Sequence, residues 1–493
     1  MGGFTILKYD DANPLSIKEY GERLIGKKFS DVINAAAIEE DLKLETITKV
    51  NNPRYKGGMG HLIEKYHFEY EINNDQEPDF PKAGVELKVT PYEIGKKGGY
   101  SAGERLVITM ISYTEPVEEN FFYSHAYSKF RLTLLIHYLR NRDLQRIDYP
   151  IDYVTLFSPP EEDLKIIQQD YEKIISKVKE GRAHELSEGE TMYLGACTKG
   201  STAIKSLVPQ EFYGPHIKAP KRAFCFKQSY MTYLLNKYVL NQVNTYESIL
   251  NNVSPSDNQT FETLIVNTIN EHKGKTSIQL SKEFSVKPGS KSFYSSLAYR
   301  MLGIKSNRAE EFIKANIEVK AIRIEENGKM DESISFPSFK FKELINEEWE
   351  ESVFYNDLSS KRYLFVVYKK LGDDYVLRGC QLWNMPYKDL EEARKGWESI
   401  QKVVNEGPIL YKKFKKNDID FEVKNNFPKK SDNDVIHIRP HTSERYYVLE
   451  TGEIIGNNPN YGDELPDGRI MTKQSFWLNN TYILSILNEE LKH

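Results

Sequence analysis

Apolar and polar residues alternate through Val85-Glu86-Leu87-Lys88-Val89. A period of two predicts a strand with Glu86 and Lys88 on one face and the apolar residues on the other. ERLVITMISY and FRLTLLIHYL are almost continuously apolar and predict further, buried strands. Elsewhere the period lengthens. Tyr171, Ile174 and Val178 form an i, i+3, i+7 stripe in DLKIIQQDYEKIISKVKEG, an amphipathic helix. SIKEYGERLIGKKF and FETLIVNTINEHKGK predict helices that lead into the two halves of the chain. The class is mixed α/β.

The pattern is written twice. Asp79, Glu86 and Lys88 return as Glu311, Glu318 and Lys320, each 232 residues on. The same offset relates Glu119, Phe122, Tyr123, Ser128 and Lys129 in ENFFYSHAYSK to Glu351, Phe354, Tyr355, Ser360 and Lys361 in ESVFYNDLSSK. Across the amphipathic helix the offset is 226, matching Tyr171, Ile174 and Val178 to Trp397, Ile400 and Val404. KQS followed by an aromatic recurs at Lys227 and Lys473, an offset of 246. Ordered blocks of this kind indicate duplication. The polar stretch QVNTYESILNNVSPSDNQT, broken by Pro255, is the expected joint. Two related domains are therefore expected, 1–250 and 251–493.

Composition narrows the classes. The 493 residues are 39% hydrophobic and 28% charged, ordinary for globular protein. No apolar run reaches the length of a membrane span, and MGGFTILKYDDANPL lacks the pattern of a secretion signal. The three cysteines, Cys197, Cys225 and Cys380, form no CxxC, which suits a cytosolic protein and argues against zinc or a disulfide framework. A net charge of −5 excludes no partner, because basic residues can cluster in one cleft.

The chemistry lies in the repeated set. Phosphodiester hydrolysis calls for a divalent ion that neutralises charge and activates water. Magnesium takes one or two carboxylates plus water and phosphate, so Asp79 and Glu86 are the candidate metal ligands. Lys88 would orient the attacking water or offset the growing charge. Gly84 permits a close turn between the two acids. Glu64, on a glycine-started helix in KGGMGHLIEKYH, and Lys129 are candidate auxiliaries. Each of these residues could equally be a solvated surface charge; the downstream copy weighs against that. There, Glu311, Glu318, Lys320 and Lys361 form a second, degenerate set, and the place of Glu64 falls at Tyr299. From Lys218 to Lys237 five basic residues occur without an acid, interleaved with Phe224, Phe226, Tyr230 and Tyr233. Such a run either faces phosphates or is a basic-faced helix with its aromatics in the core.

KGGMGHLIEKYH, PDFPKAGVELKVTP, SHAYSKFRL and RAFCFKQSYMTYLL together resemble MutH, the GATC-nicking endonuclease of mismatch repair. The duplication and the ending HIRPHT…MTKQSFWLNN resemble more closely the two-domain MutH-related type II restriction endonucleases that cleave at GATC. The resemblance implies a restriction-endonuclease-like fold present twice in tandem. It also implies Mg2+, with Asp79, Glu86 and Lys88 as the catalytic core assisted by Glu64 and Lys129. Double-stranded DNA containing GATC would be the substrate, in the bacterial cytoplasm, with self-association on DNA left open. The second domain would bind another site and stimulate the first. Alternatives are a MutH-type nicking enzyme and a non-catalytic DNA-binding protein. MutH reads DNA with an R-P-K loop; Cys197-Thr198-Lys199-Gly200 keeps only the lysine, whereas Arg439-Pro440-His441 keeps the first two positions. Where MutH carries a tyrosine, this chain has Cys225. The candidate DNA contacts are Lys199, Arg222, Lys227, Arg439, His441 and Lys473.

Overall fold

The computed structural model describes residues 8–52, 55, 57–70, 77–95, 98–199, 206–242, 246–251, 259–414 and 420–493. They fall into two compact units. The first comprises Met1–Glu247 together with Arg308–Asn316; the second comprises Ser248–Asn307 and Ile317–His493.

The first unit is built on helix α1 (Gly58–Tyr66), strands β1 (Glu86–Ile94), β2 (Tyr100–Ala102) and β3 (Leu106–Met110), helix α2 (His125–Phe130), strands β4 (Thr133–Leu139) and β5 (Ile151–Phe157), helix α3 (Glu161–Lys179), strands β6 (Leu194–Thr198) and β7 (Arg222–Phe226), and helix α4 (Gln228–Leu234). One sheet runs β2-β1-β4-β5, with β1 and β4 parallel and Glu86 opposite Thr133. A second, antiparallel sheet runs β3-β7-β6. The apolar face of β1 behaves as its alternation predicts: Val85 and Leu87 are buried in a core shared with Leu62 and Ile63 of α1.

The second unit repeats this plan. Helix α5 (Phe293–Met301) precedes strands β8 (Ile317–Ile324) and β9 (Ile334–Ser338), helix α6 (Val353–Ser360), strands β10 (Arg362–Leu371) and β11 (Asp374–Asn384), and helix α7 (Tyr387–Glu406). Strands β12 (Leu410–Phe414), β13 (Phe421–Asn425), β14 (Ile436–Pro440) and β15 (Gln474–Leu478) and helix α8 (Asn480–Ile486) complete it. The sheets are β8-β10-β11, with β8 and β10 parallel, and β9-β15-β14. From Glu180 to Leu194 the first unit takes 14 residues, and from Glu406 to Ile436 the second takes 30. The 16 extra residues are the β12–β13 hairpin, Leu410–Asn425.

Pairing corrects two of the sequence matches. Leu194 faces Phe226 and Ile436 faces Leu478, so β7 corresponds to β15 at an offset of 252. Lys227 follows β7 and caps α4, whereas Lys473 precedes β15; their shared KQS is therefore not a structural equivalence. The residue in Lys227's place is Asn479, the cap of α8. Likewise Ser124 and Ser352 cap α2 and α6, an offset of 228, while Glu86–Thr133 and Glu318–Tyr363 pair at 230. The match at 232 across ENFFYSHAYSK is out of register because α6 is two residues longer than α2.

The excursion of Arg308–Asn316 has no counterpart in the sequence reading. Its short helix, Glu310–Ala315, is anchored by Lys314, whose ammonium bonds Asp163 at 2.7 Å and Glu310 at 2.8 Å. Lys314 lies over the Tyr233 ring at 4.5 Å, and its carbonyl accepts the Ser229 hydroxyl at 2.8 Å. Both Lys314 and Asp163 are buried.

Candidate active site

The turn before β1 brings the first-unit acids together. Phe80 donates its backbone N–H to Val85 O at 2.9 Å, and Gly84 closes the turn with φ of 64°. Asp79 Oδ2 accepts the Leu87 N–H at 2.8 Å, and the Asp79 N–H donates to Glu86 Oε2 at 3.3 Å. Lys88 Nζ donates to Glu86 Oε1 at 2.6 Å. Lys129, from α2, donates to Glu86 Oε2 at 3.1 Å and to the Glu77 carbonyl. Glu64 faces the same group from α1, within the electrostatic reach of Lys88, Glu86 and Lys129. All five predicted residues are thus gathered.

Their charges do not cancel. Three carboxylates meet two lysines, and burial raises the cost of ionising Asp79 and Glu64. Burial, reinforced by Glu86, pushes the Asp79 carboxyl up to about 6, and burial also raises Glu64. A cation entering this pocket would relieve that repulsion. Among the described residues no three His, Cys, Asp or Glu side chains converge on one point. A pair such as Asp79 and Glu86 nonetheless suits magnesium, which keeps most of its coordination for water and phosphate.

The second unit is different. Glu318 is held by Lys320 at 2.6 Å and Lys361 at 3.4 Å, and Lys361 also meets Asp357 at 3.4 Å. The Glu318 side chain is 42% exposed against 3% for Glu86. Although burial opposes it, the two lysines hold the Glu318 carboxyl below its usual range. Tyr299 of α5 faces Glu318 and is engaged by the backbone of Val319, the counterpart of Leu87. A phenol thus takes the backbone contact that Asp79 makes in the first unit. Glu311 rides on the Glu310–Ala315 helix, which belongs to the first unit, and is felt by Tyr193. Two carboxylates, Glu318 and Asp357, balanced by two lysines leave no net negative charge for a metal. Glu318→Ala is therefore expected to leave the rate of plasmid digestion within about threefold of the parent, because Glu318 is no part of the first unit's acid pocket.

The DNA-contact candidates divide. Lys227 and Arg222 are corrected to interior residues: Lys227 is 1% exposed and bonds the Thr191 carbonyl, and buried Arg222 Nη1 bonds Ala196 O at 2.6 Å. Their basic run passes along β7, whose residues are all buried. Lys199 is half-buried at the end of β6, its N–H on Lys221 O at 2.8 Å; Gly200 lies outside the described residues. Lys473 bonds Asn460 O at 2.6 Å. Arg439 is exposed and stacks over the Trp477 ring at 3.7 Å, and His441 Nδ1 meets Ser475 Oγ at 2.7 Å. Trp477 was not singled out from the sequence. Successive strand residues point to opposite faces, which places Trp477 beside Ser475 and opposite the buried Phe476. In the first unit the positions of Arg439 and Trp477 hold Cys197 and Cys225, whose buried thiols interact.

The family model for the DNA mismatch repair enzyme MutH matches residues 68–170 and again 302–394. The chain is 35% identical to the type II restriction enzyme Sau3AI of Staphylococcus aureus, over 87% of this chain and 91% of that protein. It is 23% identical to the DNA mismatch repair protein MutH of Vibrio campbellii, over 48% of this chain and 98% of that protein. With the MutH of Serratia proteamaculans the figures are 25%, 46% and 93%.

Proposed function

This chain belongs to the MutH-related type II restriction enzymes, site-specific deoxyribonucleases, and from that premise we propose that it cuts both strands of duplex DNA at GATC with Mg2+ held by Asp79 and Glu86. The observation that carries the assignment of the centre is the unbalanced acid pocket of the first unit beside the balanced cluster of the second. Bound at Asp79 and Glu86, magnesium would supply charge to the phosphate and activate water. Lys88 fixes the Glu86 carboxylate and presents its remaining protons to the attacking water. Lys129 fixes the other Glu86 oxygen, and Glu64 adds the negative charge that draws the ion in. Digestion of supercoiled plasmid with Mg2+ tests the reading. Linear fragments ending within GATC support it; nicked circles or uncut, retarded DNA would replace it.

The second unit binds a further copy of the site and promotes cleavage by the first. Arg439 is its principal reader: the Trp477 ring holds the guanidinium flat, leaving the N–H edge free for a bidentate contact with guanine. Arg439→Ala should cut a two-site plasmid about tenfold more slowly while leaving the one-site rate unchanged. Equal slowing on both plasmids would remove the second-site role. No helix among the described residues is long and apolar enough to cross a membrane. The enzyme works in the bacterial cytoplasm.

A further inference from the structure

Gly84 and Asn316 occupy equivalent places before β1 and β8, and both are left-handed, with φ of 64° and 57°. The turn itself therefore accepts a side chain, since asparagine tolerates this conformation. What the missing Cβ of Gly84 admits is Arg131. A Cβ there would collide with Arg131 Nη2 and stand 3.1 Å from its Cζ. The guanidinium thus reaches the turn that joins Asp79 to Glu86 with Nη2 leading.

Arg131 closes α2 with its N–H on Tyr127 O at 2.8 Å, two residues before Thr133, the partner of Glu86. It is exposed, and among the described residues no carboxylate pairs with it. The nearby Glu86 is held instead by Lys88 and Lys129. The second unit shows the alternative. By strand pairing the place of Arg131 there belongs to Lys361, two residues before Tyr363, and its ammonium is spent on Glu318 and Asp357. Of the two turns, the first alone has an exposed arginine set against it, with no carboxylate partner among the described residues.

We propose that Arg131 is a phosphate clamp, gripping a backbone phosphate of the DNA next to the one held at Asp79 and Glu86, and that Gly84 is a glycine to let it lie there. The forked guanidinium matches two phosphate oxygens, which fixes the strand's register as well as binding it. The proposal rests on the Asp79–Glu86 reading of the centre.

The test uses full-length protein carrying Asp79→Asn, so that DNA binds uncut, with affinity for a duplex containing GATC measured across a salt series. Arg131→Ala should weaken binding about tenfold and lower the slope of log K against log salt by about one, because one fewer counterion is displaced. Gly84→Asn, which copies the residue of the second turn, should reproduce both effects by displacing the guanidinium without touching its charge. Arg131→Lys should restore the slope but not all of the affinity. Unchanged affinity and slope in Arg131→Ala overturn the proposal, whatever Gly84→Asn does. Cleavage by Asp79→Asn itself would instead overturn the reading of the centre, so the two failures are separable.

Discussion

Asp79→Asn is expected to abolish cleavage and, at the same time, to stabilise the protein. The loss follows from removing one of two metal-binding carboxylates and should be about a thousandfold or more in rate. The gain follows from linkage. Burial and the neighbouring Glu86 raise the Asp79 carboxyl from 3.8 to about 6 in the folded state. A carboxyl whose folded pKa is raised binds more protons folded than unfolded, so its contribution to stability falls as pH rises between those two values. Above pH 6 the folded protein carries the full penalty of an ionised, crowded Asp79. Asparagine removes that charge and can still accept the Leu87 N–H. With allowance for partial exposure the gain is about 2 kcal/mol at pH 8, or about 5 °C in melting temperature for a unit of this size. It should be small at pH 4 and vanish well below 3.8, where the parent's carboxyl is protonated in both states. Melting curves in metal-free buffer at pH 8 and pH 4 check this. Added Mg2+ should raise the melting temperature of the parent at pH 8 and leave the variant unchanged. A destabilised Asp79→Asn at pH 8 would contradict the charge imbalance on which the metal site is argued.

Lys227→Ala should destabilise the first unit by about 3–5 kcal/mol, the cost of stranding a buried partner charge. That partner is Asp170 of α3, which accepts the N–H groups of Met192, Tyr193 and Leu194 at 2.6, 2.6 and 2.9 Å. Burial already lifts the Asp170 carboxyl to about 6 against the pull of those donors and of Lys227. The second unit builds the same place without charge. Gly396 stands where Asp170 is, with Asn433 packed against it, and Asn479 Nδ2 donates to Asn433 O at 2.7 Å as Lys227 does to Thr191 O. Urea unfolding measures the loss, and combining Lys227→Met with Asp170→Asn should recover most of it. A wild-type unfolding midpoint in Lys227→Ala would return the lysine to the list of DNA contacts.

The sequence carried the acid pocket well because a single alternating strand and one turn build it, and both are local. Val85 to Val89 alternate, Gly84 marks the turn, and Glu64 and Lys129 arrive from short helices with their own caps. What misled was identity taken as equivalence. KQS recurs, but Lys227 follows a buried strand while Lys473 precedes one. The basic run from Lys218 is split by the fold: Lys218, Lys221 and Lys237 are exposed, whereas Arg222 and Lys227 are buried with β7, which lies between β3 and β6. Lys361 reached Glu318 despite a shifted register, because a long flexible side chain can find the same anion from a neighbouring backbone position.

The excursion of residues 308–316 bears on how the protein is made. Asp163 emerges from the ribosome about 150 residues before the lysine that neutralises it, as the separation of 151 between Lys314 and Asp163 records. Through that interval the nuclease unit has its acids, sheets and turn but lacks the helix that seats against Tyr233 and Ser229. The first unit is thus completed by sequence translated after the opening helices of the second. A gene divided at the apparent joint near residue 250 would deliver an unfinished nuclease, so the two copies, though duplicated, are no longer separable cassettes.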